Sequence, residues 1–164
     1  PSKEHGVVIV HLLRHAKTEA HANTGRDFDR KLDPKGHLQC VELKELLSKR
    51  IGAEASIFSS AAQRTRETAK LIFDDDQKIL YFDELYLCGR NNLLAFICNL
   101  KSENEVLIIG HNFGISELAS YLIGKQVVMK TCGFISMEFP GFSVNEISAS
   151  TGILKSNHRC TIDY

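Results

Sequence analysis

The sequence predicts an α/β domain in which helices flank a mostly parallel central sheet in three layers. Short apolar runs of strand length alternate with longer segments of helical periodicity, and this alternation is typical of parallel sheets. The run EVLIIG at residues 105–110 is apolar enough to be buried on both faces, as a central strand must be. With 164 residues the chain is long enough to bury a substantial core, and we expect residues 1–164 to form a single domain.

The elements can be predicted in chain order. We expect strands at residues 7–13, 55–60, 78–82 and 105–110, and helices at residues 34–51, 61–73, 91–100 and 113–124. Asp33 is the expected N-cap of the first helix, and Gly52 its expected end. Ser59 or Ser60 is the expected cap of the second helix. Alternation in residues 133–139 and 143–150, which Pro140 and Gly141 join, predicts a hairpin.

The apolar face of the first helix can also be predicted from its spacing. It is expected to comprise Leu38, Val41, Leu43, Leu46 and Leu47.

Composition excludes several classes of function. Twenty basic and twenty acidic residues give a formal net charge of zero, so no global charge attracts nucleic acid or an anionic membrane. No apolar run approaches the roughly 20 residues that span a bilayer. The five cysteines are scattered, odd in number and without a C-x-x-C pair, which argues against a disulfide framework or a zinc ribbon. We therefore expect free thiols and a cytoplasmic protein.

Charged side chains follow three of the predicted strands. Arg14 and His15 end the first strand, Arg64 lies just beyond the second, and His111 follows the fourth. The carboxyl ends of parallel strands share one edge of a sheet, where ligands bind. Two histidines and two arginines at that edge suit a compact dianion, because a guanidinium binds phosphate oxygens in a bidentate way. Like-charge repulsion should keep an imidazole neutral there, as a nucleophile requires.

The motifs around these residues resemble the histidine phosphatase superfamily. LLRHAKTE is similar to its Arg-His-Gly signature, SSAAQRTRETA to its second motif, and VLIIGHNFGISELASYL to the motif around its second histidine. RKLDPKG and DELYLCG match stretches of the small SixA-like phosphohistidine phosphatases. The resemblance runs from about residue 7 to residue 139, and it implies a phosphoglycerate mutase-like fold.

The resemblance also implies roles for individual residues. His15 would attack phosphorus and become a phosphohistidine, which water then hydrolyses without a metal or another cofactor. Arg14 and Arg64 would hold the phosphoryl oxygens, with Arg30 as a third phosphate-side arginine. His111 would stabilise charge on the transferring group. Such a reaction depends mostly on positioning and electrostatic stabilisation, which arginines and a histidine can supply.

The resemblance leaves open which residue is the acid that protonates a leaving group. Glu84 lies where larger relatives keep a catalytic carboxylate, and the neighbouring Asp83 is an alternative. The small branch can act without either, because the nitrogen leaving group of a phosphoramidate can arrive already protonated. The chain departs from the family pattern in having Ala16 for glycine, and Ala61 and Lys31 for prolines. None of these departures removes a charged group from the expected pocket.

The substrate remains open between two classes. One helix and one strand use most of the chain between Glu84 and His111, so residues 16–33 are the only sizeable cover predicted for the site. Such an open site suits phosphohistidine on a protein partner, for example a histidine phosphotransfer domain, and no nucleic acid or membrane partner is expected. A small phosphometabolite is the alternative, and a non-catalytic phosphate-binding module is a third possibility.

Two further side chains have expected structural roles. His11 lies inside the first strand and is predicted to be a core or sheet histidine with satisfied ring nitrogens. Arg66 follows Arg64 on another helix face and is predicted to be exposed to solvent.

Overall fold

In the computed structural model, which describes residues 6–101 and 103–162, six strands of the described chain form one mixed sheet. They are β1 (Val7–Arg14), β2 (Ser56–Ser60), β3 (Ile79–Phe82), β4 (Glu105–Gly110), β5 (Phe134–Pro140) and β6 (Ile153–His158). The order across the sheet is β3-β2-β4-β1-β5-β6. The first four strands run parallel. At one side of the sheet β5 pairs antiparallel with β1, and β6 pairs antiparallel with β5. The predicted fold class is therefore confirmed.

Four α-helices of the described chain cover the sheet. They are α1 (Pro34–Leu47), α2 (Gln63–Ile72), α3 (Arg90–Cys98) and α4 (Gly114–Ile123). Helices α1 and α2 pack with one face of the sheet, and α3 and α4 with the other. The central strand β4 serves both cores, since Val106 and Ile108 belong to one, and Leu107 and Ile109 to the other. This is why its sequence is apolar at every position rather than alternating.

Helix α1 begins as predicted but is shorter. The Asp33 side chain accepts a hydrogen bond from the Gly36 amide at 2.7 Å, and Pro34 occupies the first helical position. The helix ends at Leu47, before Gly52.

The buried face of α1 differs from the expected one. Leu38 and Val41 are 54% and 69% exposed. The residues that face the core are Gly36, Gln39, Cys40, Leu43 and Leu47. These positions recur at intervals of three and four and form one stripe, which excludes Leu38 and Val41.

The predicted cap of α2 is wrong. The helix starts after Ala62, which makes no side-chain capping hydrogen bond, whereas Ser59 and Ser60 are the last residues of β2. The Ser60 hydroxyl contacts His111 instead. The serines therefore belong to the edge of the sheet where the parallel strands end.

The predicted hairpin has a different second strand. Strand β5 pairs with β6, while residues 143–150 contain the short 3-10 helix Val144–Glu146. Val144 and Ile147 are both buried, because a spacing of three residues puts them on one side of that turn. The apparent alternation in this segment reflects a single helical turn packed beneath α3.

The cysteines among the described residues are all free thiols, as expected. None of the helices in the described ranges is long and apolar enough to cross a membrane.

Candidate active site

The predicted residues meet where the parallel strands end. Arg14 is in register with Gly110 across the β1–β4 pair, and Ser59 with Ile109 across the β2–β4 pair. The His15 amide then donates to the Gly110 carbonyl oxygen at 3.2 Å, one step beyond the strands. The edge of the sheet thus collects side chains that are far apart in the sequence.

His15 is held from three sides. Its amide is bound to Gly110, its carbonyl oxygen accepts from the Cys132 amide at 2.9 Å, and its Nδ1 lies 2.7 Å from the Ala16 carbonyl oxygen. Because a carbonyl oxygen only accepts, Nδ1 carries the proton. The lone pair is therefore on Nε2, the form that a nucleophilic imidazole needs.

The surroundings keep His15 neutral. Burial lowers its pKa well below the ordinary value, and the neighbouring His111, Arg64 and Arg14 lower it further. The sequence predicted the effect from like charges, but removal from water is the larger cause.

His111 lies beside His15, with 5.3 Å between the ring centroids. Its Nε2 lies 2.8 Å from the Ser60 hydroxyl. That hydroxyl accepts from the Ala62 amide and has a hydrogen that it can donate to Nε2; we assign this arrangement, in which the ring proton resides on Nδ1. Burial, followed by the charge of Arg64, lowers the pKa of His111 to about 3. His111 is therefore a neutral hydrogen-bond donor at physiological pH.

Two buried polar atoms near His15 have no partner within the described part of the chain: Arg14 Nε and His111 Nδ1. Arg14 is otherwise anchored, since its Nη1 donates to the Met129 carbonyl oxygen at 3.0 Å. Buried N–H groups are almost always satisfied in folded proteins. Two unsatisfied donors beside a neutral imidazole are a binding arrangement for an anion.

Arg64 lies on α2 and is 3% exposed. Its Nη1 donates to the backbone carbonyl oxygen of Asp27 at 2.8 Å, and its Nη2 to Asp27 Oδ2 at 3.0 Å. The same carboxylate accepts from the Tyr86 hydroxyl at 2.5 Å and from Arg30 Nη1 at 2.9 Å. Partial burial raises the pKa of Asp27, but the bonds from Tyr86, Arg30 and Arg64 outweigh it and hold that pKa well below its usual range.

Comparisons with known proteins agree with this geometry. Residues 10–85 match the model of the histidine phosphatase superfamily (branch 1). Over these residues the chain is similar to the histidine phosphatase superfamily. The matched range includes Arg14, His15 and Arg64, and His111 lies beyond it. The match over these residues supports a phosphatase.

Solved structures share the histidine phosphatase fold. A candidate phosphohistidine phosphatase SixA from Nakamurella multipartitia has a TM-score of 0.82 and 22% identity, over 95% of this chain and 98% of that one. Another, from Agrobacterium tumefaciens, has a TM-score of 0.73 and 28% identity, over 80% of this chain and 91% of that one. A chloroplastic protein of Arabidopsis thaliana without a characterised function is 28% identical, over 86% of this chain and 71% of its own length.

Among the described residues, Arg30 is joined to the cluster of His15, His111, Arg14 and Arg64 only through Asp27. Its Nε donates to the Glu19 carbonyl oxygen at 2.9 Å and its Nη2 to the Thr18 hydroxyl at 2.5 Å, while Nη1 is bound to Asp27. These bonds hold the two sides of the loop at residues 16–33 together. Direct phosphate binding by Arg30 stays a prediction.

Glu84 is not brought into the cluster. It is exposed on the short 3-10 helix Asp83–Leu85 and lines a surface depression with Asn92 and Ala95 of α3. No hydrogen bond joins Glu84 or Asp83 to His15 or His111 in the described part of the chain. Its predicted role as an acid therefore has no geometric support in this structure.

Asp27 and Tyr86 were missed by sequence reasoning. Asp27 precedes Arg30 by three residues within a short turn, a spacing at which an acid and a base often pair, and this was the available signal. Tyr86 lies in the DELYLCG stretch, and its ring meets the His111 ring edge-on with 5.5 Å between centroids. Both residues depend on contacts between distant parts of the chain.

The loop that carries Asp27 is anchored at both ends. The Ala16 amide donates to the Thr68 hydroxyl at 3.0 Å. At the other end, a Cβ on Gly36 would lie 2.1 Å from the Lys17 carbonyl oxygen, so this close approach of α1 to the loop requires glycine.

Arg66, expected to be exposed, is partly buried instead. Its Nε donates to the Ala61 carbonyl oxygen at 2.8 Å, and its guanidinium lies 4.3 Å from the centroid of the Tyr81 ring. Stacking on an aromatic face explains this placement.

One group of side chains in the described residues has the spacing of metal ligands. The ligand atoms of Glu42, His158 and Cys160 lie within 4.8 Å of one another. Glu42 already accepts from His158 Nε2 at 2.9 Å and from the Thr161 amide, and the Cys160 thiol donates to backbone carbonyl oxygens. These contacts tie the end of the chain to α1, which accounts for the group without an ion.

Proposed function

We propose that this phosphatase works through a phosphohistidine intermediate on His15, without a metal ion, and dephosphorylates phosphohistidine on a protein partner. The observation that carries the proposal is the pairing of a neutral His15, whose Nε2 is free, with the two unsatisfied donors Arg14 Nε and His111 Nδ1. A nucleophile and donors for the phosphoryl oxygens thus lie side by side.

The transfer step follows from these positions. His15 Nε2 attacks phosphorus while Arg14, Arg64 and His111 bind the equatorial oxygens, whose negative charge grows as the leaving group departs. Guanidinium groups supply the positive charge that a metal ion supplies elsewhere. Water then hydrolyses the phosphohistidine and regenerates His15.

A protein substrate is supported by the surface beside the site. Phe113 is 80% exposed and Val128 is 65% exposed, and both line a groove that includes Asn112, the residue after His111. Large apolar side chains so exposed at the mouth of a site are typical of surfaces that a partner covers. The relative from Agrobacterium tumefaciens, 28% identical, is named as a candidate phosphohistidine phosphatase.

A small phosphometabolite is the second candidate. The loop at residues 16–33 bends back so that Asp27 binds Arg64, which brings a cover over part of the site. A loop in that position could enclose a small ligand. A non-catalytic phosphate-binding module has no comparable support, since His15, His111, Arg14 and Arg64 are all present.

Two broader assignments belong to the same proposal. We assign residues 1–164 to one histidine phosphatase domain. We also propose a cytoplasmic location, on the basis of the scattered free cysteines.

The test compares substrates in the presence of a metal chelator. Phosphate release is measured from a phosphohistidine-bearing protein, p-nitrophenyl phosphate and several sugar phosphates, with His15→Ala as control. We expect the highest kcat/KM for the phosphohistidine protein and a labelled phosphoenzyme that His15→Ala does not form. A preference for a sugar phosphate would show that the proposed substrate is wrong and would leave the proposed mechanism unchanged. Inactivity on every substrate would contradict the proposal.

A further inference from the structure

The Asp27 carboxylate is an unusual feature of a pocket built for an anion. It lies against Arg64, which is proposed to bind phosphoryl oxygens, and it accepts hydrogen bonds from Tyr86 and Arg30 as well. A negative charge in this place weakens the binding of any dianion. Its presence therefore calls for a property of the substrate that compensates for the repulsion.

We propose that Asp27 forms a subsite for a protonated phosphoimidazole ring, which is cationic until the P–N bond breaks, and thereby makes the enzyme select N-phosphoryl imidazoles over phosphate esters. This inference rests on the proposed function. It assigns the choice of leaving group to a residue that lies outside the recognised motifs.

The depth of the residues supports this position for the leaving group. His15 is 8% exposed, and the Arg64 side chain is 4% exposed, whereas the Asp27 side chain is 44% exposed. The nucleophile is thus at the base of the pocket and the carboxylate at its mouth. In an in-line displacement the leaving group departs on the side opposite the nucleophile, and we assign the more exposed Asp27 to that side.

The hydrogen bonds of Asp27 leave room for one more donor. A carboxylate has about four acceptor positions, two on each oxygen. Within the described residues, Oδ2 accepts from Arg64 and Tyr86, and Oδ1 accepts from Arg30. One position on Oδ1 is therefore open to an N–H of the departing ring.

The chemistry of the leaving group fits an anion better than an acid. When His15 Nε2 bonds to phosphorus and the P–N bond breaks, its electron pair remains on the departing ring nitrogen. In the protonated, cationic form of the substrate the other ring nitrogen carries a proton, so the ring leaves as neutral imidazole and no further proton transfer is required. Asp27 accepts a hydrogen bond from that N–H and stabilises the positive charge of the bound substrate.

An alkyl phosphate makes a different demand. Its leaving oxygen needs a proton from a neighbouring acid. Asp27 stays ionised because the hydrogen bonds to its carboxylate hold its pKa low, and His111 has a pKa of about 3. Glu84 lies outside the cluster. The described residues of the pocket therefore provide a carboxylate that can bind a cationic ring. They provide no acid that could protonate the leaving oxygen of an ester.

The experiment uses two small substrates, so that protein docking does not enter. N-phosphoimidazole in its protonated form carries the cationic ring, and p-nitrophenyl phosphate has an anionic leaving group that needs no acid. Asp27→Asn keeps the shape of the side chain, and the Asp27 backbone carbonyl that holds Arg64 is retained. Asp29→Asn is the matched control, because Asp29 lies in the same turn but is bound to Thr24 and Arg26.

We expect Asp27→Asn to lower kcat/KM for N-phosphoimidazole by about tenfold, the effect of one hydrogen bond between charged groups. The value for p-nitrophenyl phosphate should rise, because the negative charge beside Arg64 is removed, and Asp29→Asn should change neither. An equal loss of kcat/KM on both substrates would mean that Asp27 only positions Arg64. An equal gain on both would mean that Asp27 blocks the pocket. Either result would overturn this inference and leave the proposed function standing. Inactivity of the wild type on both would overturn the proposed function with it.

Discussion

Strand β1 and the residue after it carry two buried histidines with opposite properties. His11 is 2% exposed and His15 is 8% exposed, so burial does not distinguish them. Both ring nitrogens of His11 are bound, Nε2 to Glu105 at 2.6 Å and Nδ1 to the Ser136 hydroxyl at 2.6 Å, and the ring stacks on Phe134. His11 is thus the satisfied sheet histidine that the sequence predicted.

His15 differs because its surroundings leave polar atoms without hydrogen-bond partners. Its Nδ1 is bound, but its Nε2 is free, and the nearby Arg14 Nε and His111 Nδ1 lack partners in the described part of the chain. Burial lowers the pKa of both histidines, and only His11 has a carboxylate that opposes the shift. Unsatisfied polar atoms, rather than burial or a lowered pKa, separate a reactive histidine from a structural one.

The strongest test of the difference between His11 and His15 is to remove each imidazole in turn. His15→Ala should lower turnover about 10⁴-fold or more, because no other group in the cluster can form the covalent intermediate. His11→Ala should leave kcat nearly unchanged. Phosphate release and thermal unfolding are measured together. Substantial residual hydrolysis by His15→Ala would show that another group is the nucleophile.

A smaller effect is expected from a pair of neighbouring arginines. Arg64→Ala should slow the reaction about 10²- to 10³-fold, the loss typical of one group that stabilises charge in the transition state. Arg66→Ala should have little effect on the rate, since Arg66 stacks on Tyr81. Single-turnover kinetics separate weakened binding from slower transfer. Similar losses in both variants would show that Arg64 has no special role.

Stability should respond in the opposite way to activity. His11→Ala removes the ring that binds the buried Ser136 hydroxyl and Glu105, which then keeps only the Gly52 amide among the described residues, so we expect the free energy of unfolding to fall by about 2–3 kcal/mol. His37→Ala is the control, because His37 is exposed on α1. Urea denaturation measures both. If His11→Ala were as stable as the control, the bonded histidine would not be a structural element.

The smallest effect concerns pH. The pKa of His111 is about 3 in the folded chain and about 6.5 in the unfolded one, so the unfolded state binds more protons between these values. Stability is therefore complete above pH 6.5 and declines as pH falls, by at most about 1.4 kcal/mol per pH unit. His111→Gln should decline less steeply between about pH 5 and 6.5, above the carboxylate range. Parallel curves for the two proteins would contradict the lowered pKa.

The sequence by itself determined the sheet and the core of the site. Apolar strands that alternate with helices predict parallel strands, and parallel strands necessarily bring their carboxyl ends to one edge. Arg14, His15, Arg64 and His111 can therefore be grouped from the sequence alone. Their local neighbours along the chain were enough, because strand direction is a regular property of the fold.

Tertiary structure alone decided which polar atoms are satisfied. Whether His11 is bonded depends on Glu105 and Ser136, and whether Arg64 is paired depends on how the loop brings back Asp27. These partners are far away in the sequence, and no periodicity encodes their distances. Strand β5 likewise found its partner in β6 because the intervening segment buries Val144 in a helical turn. Non-local packing, which a local pattern cannot specify, made those choices.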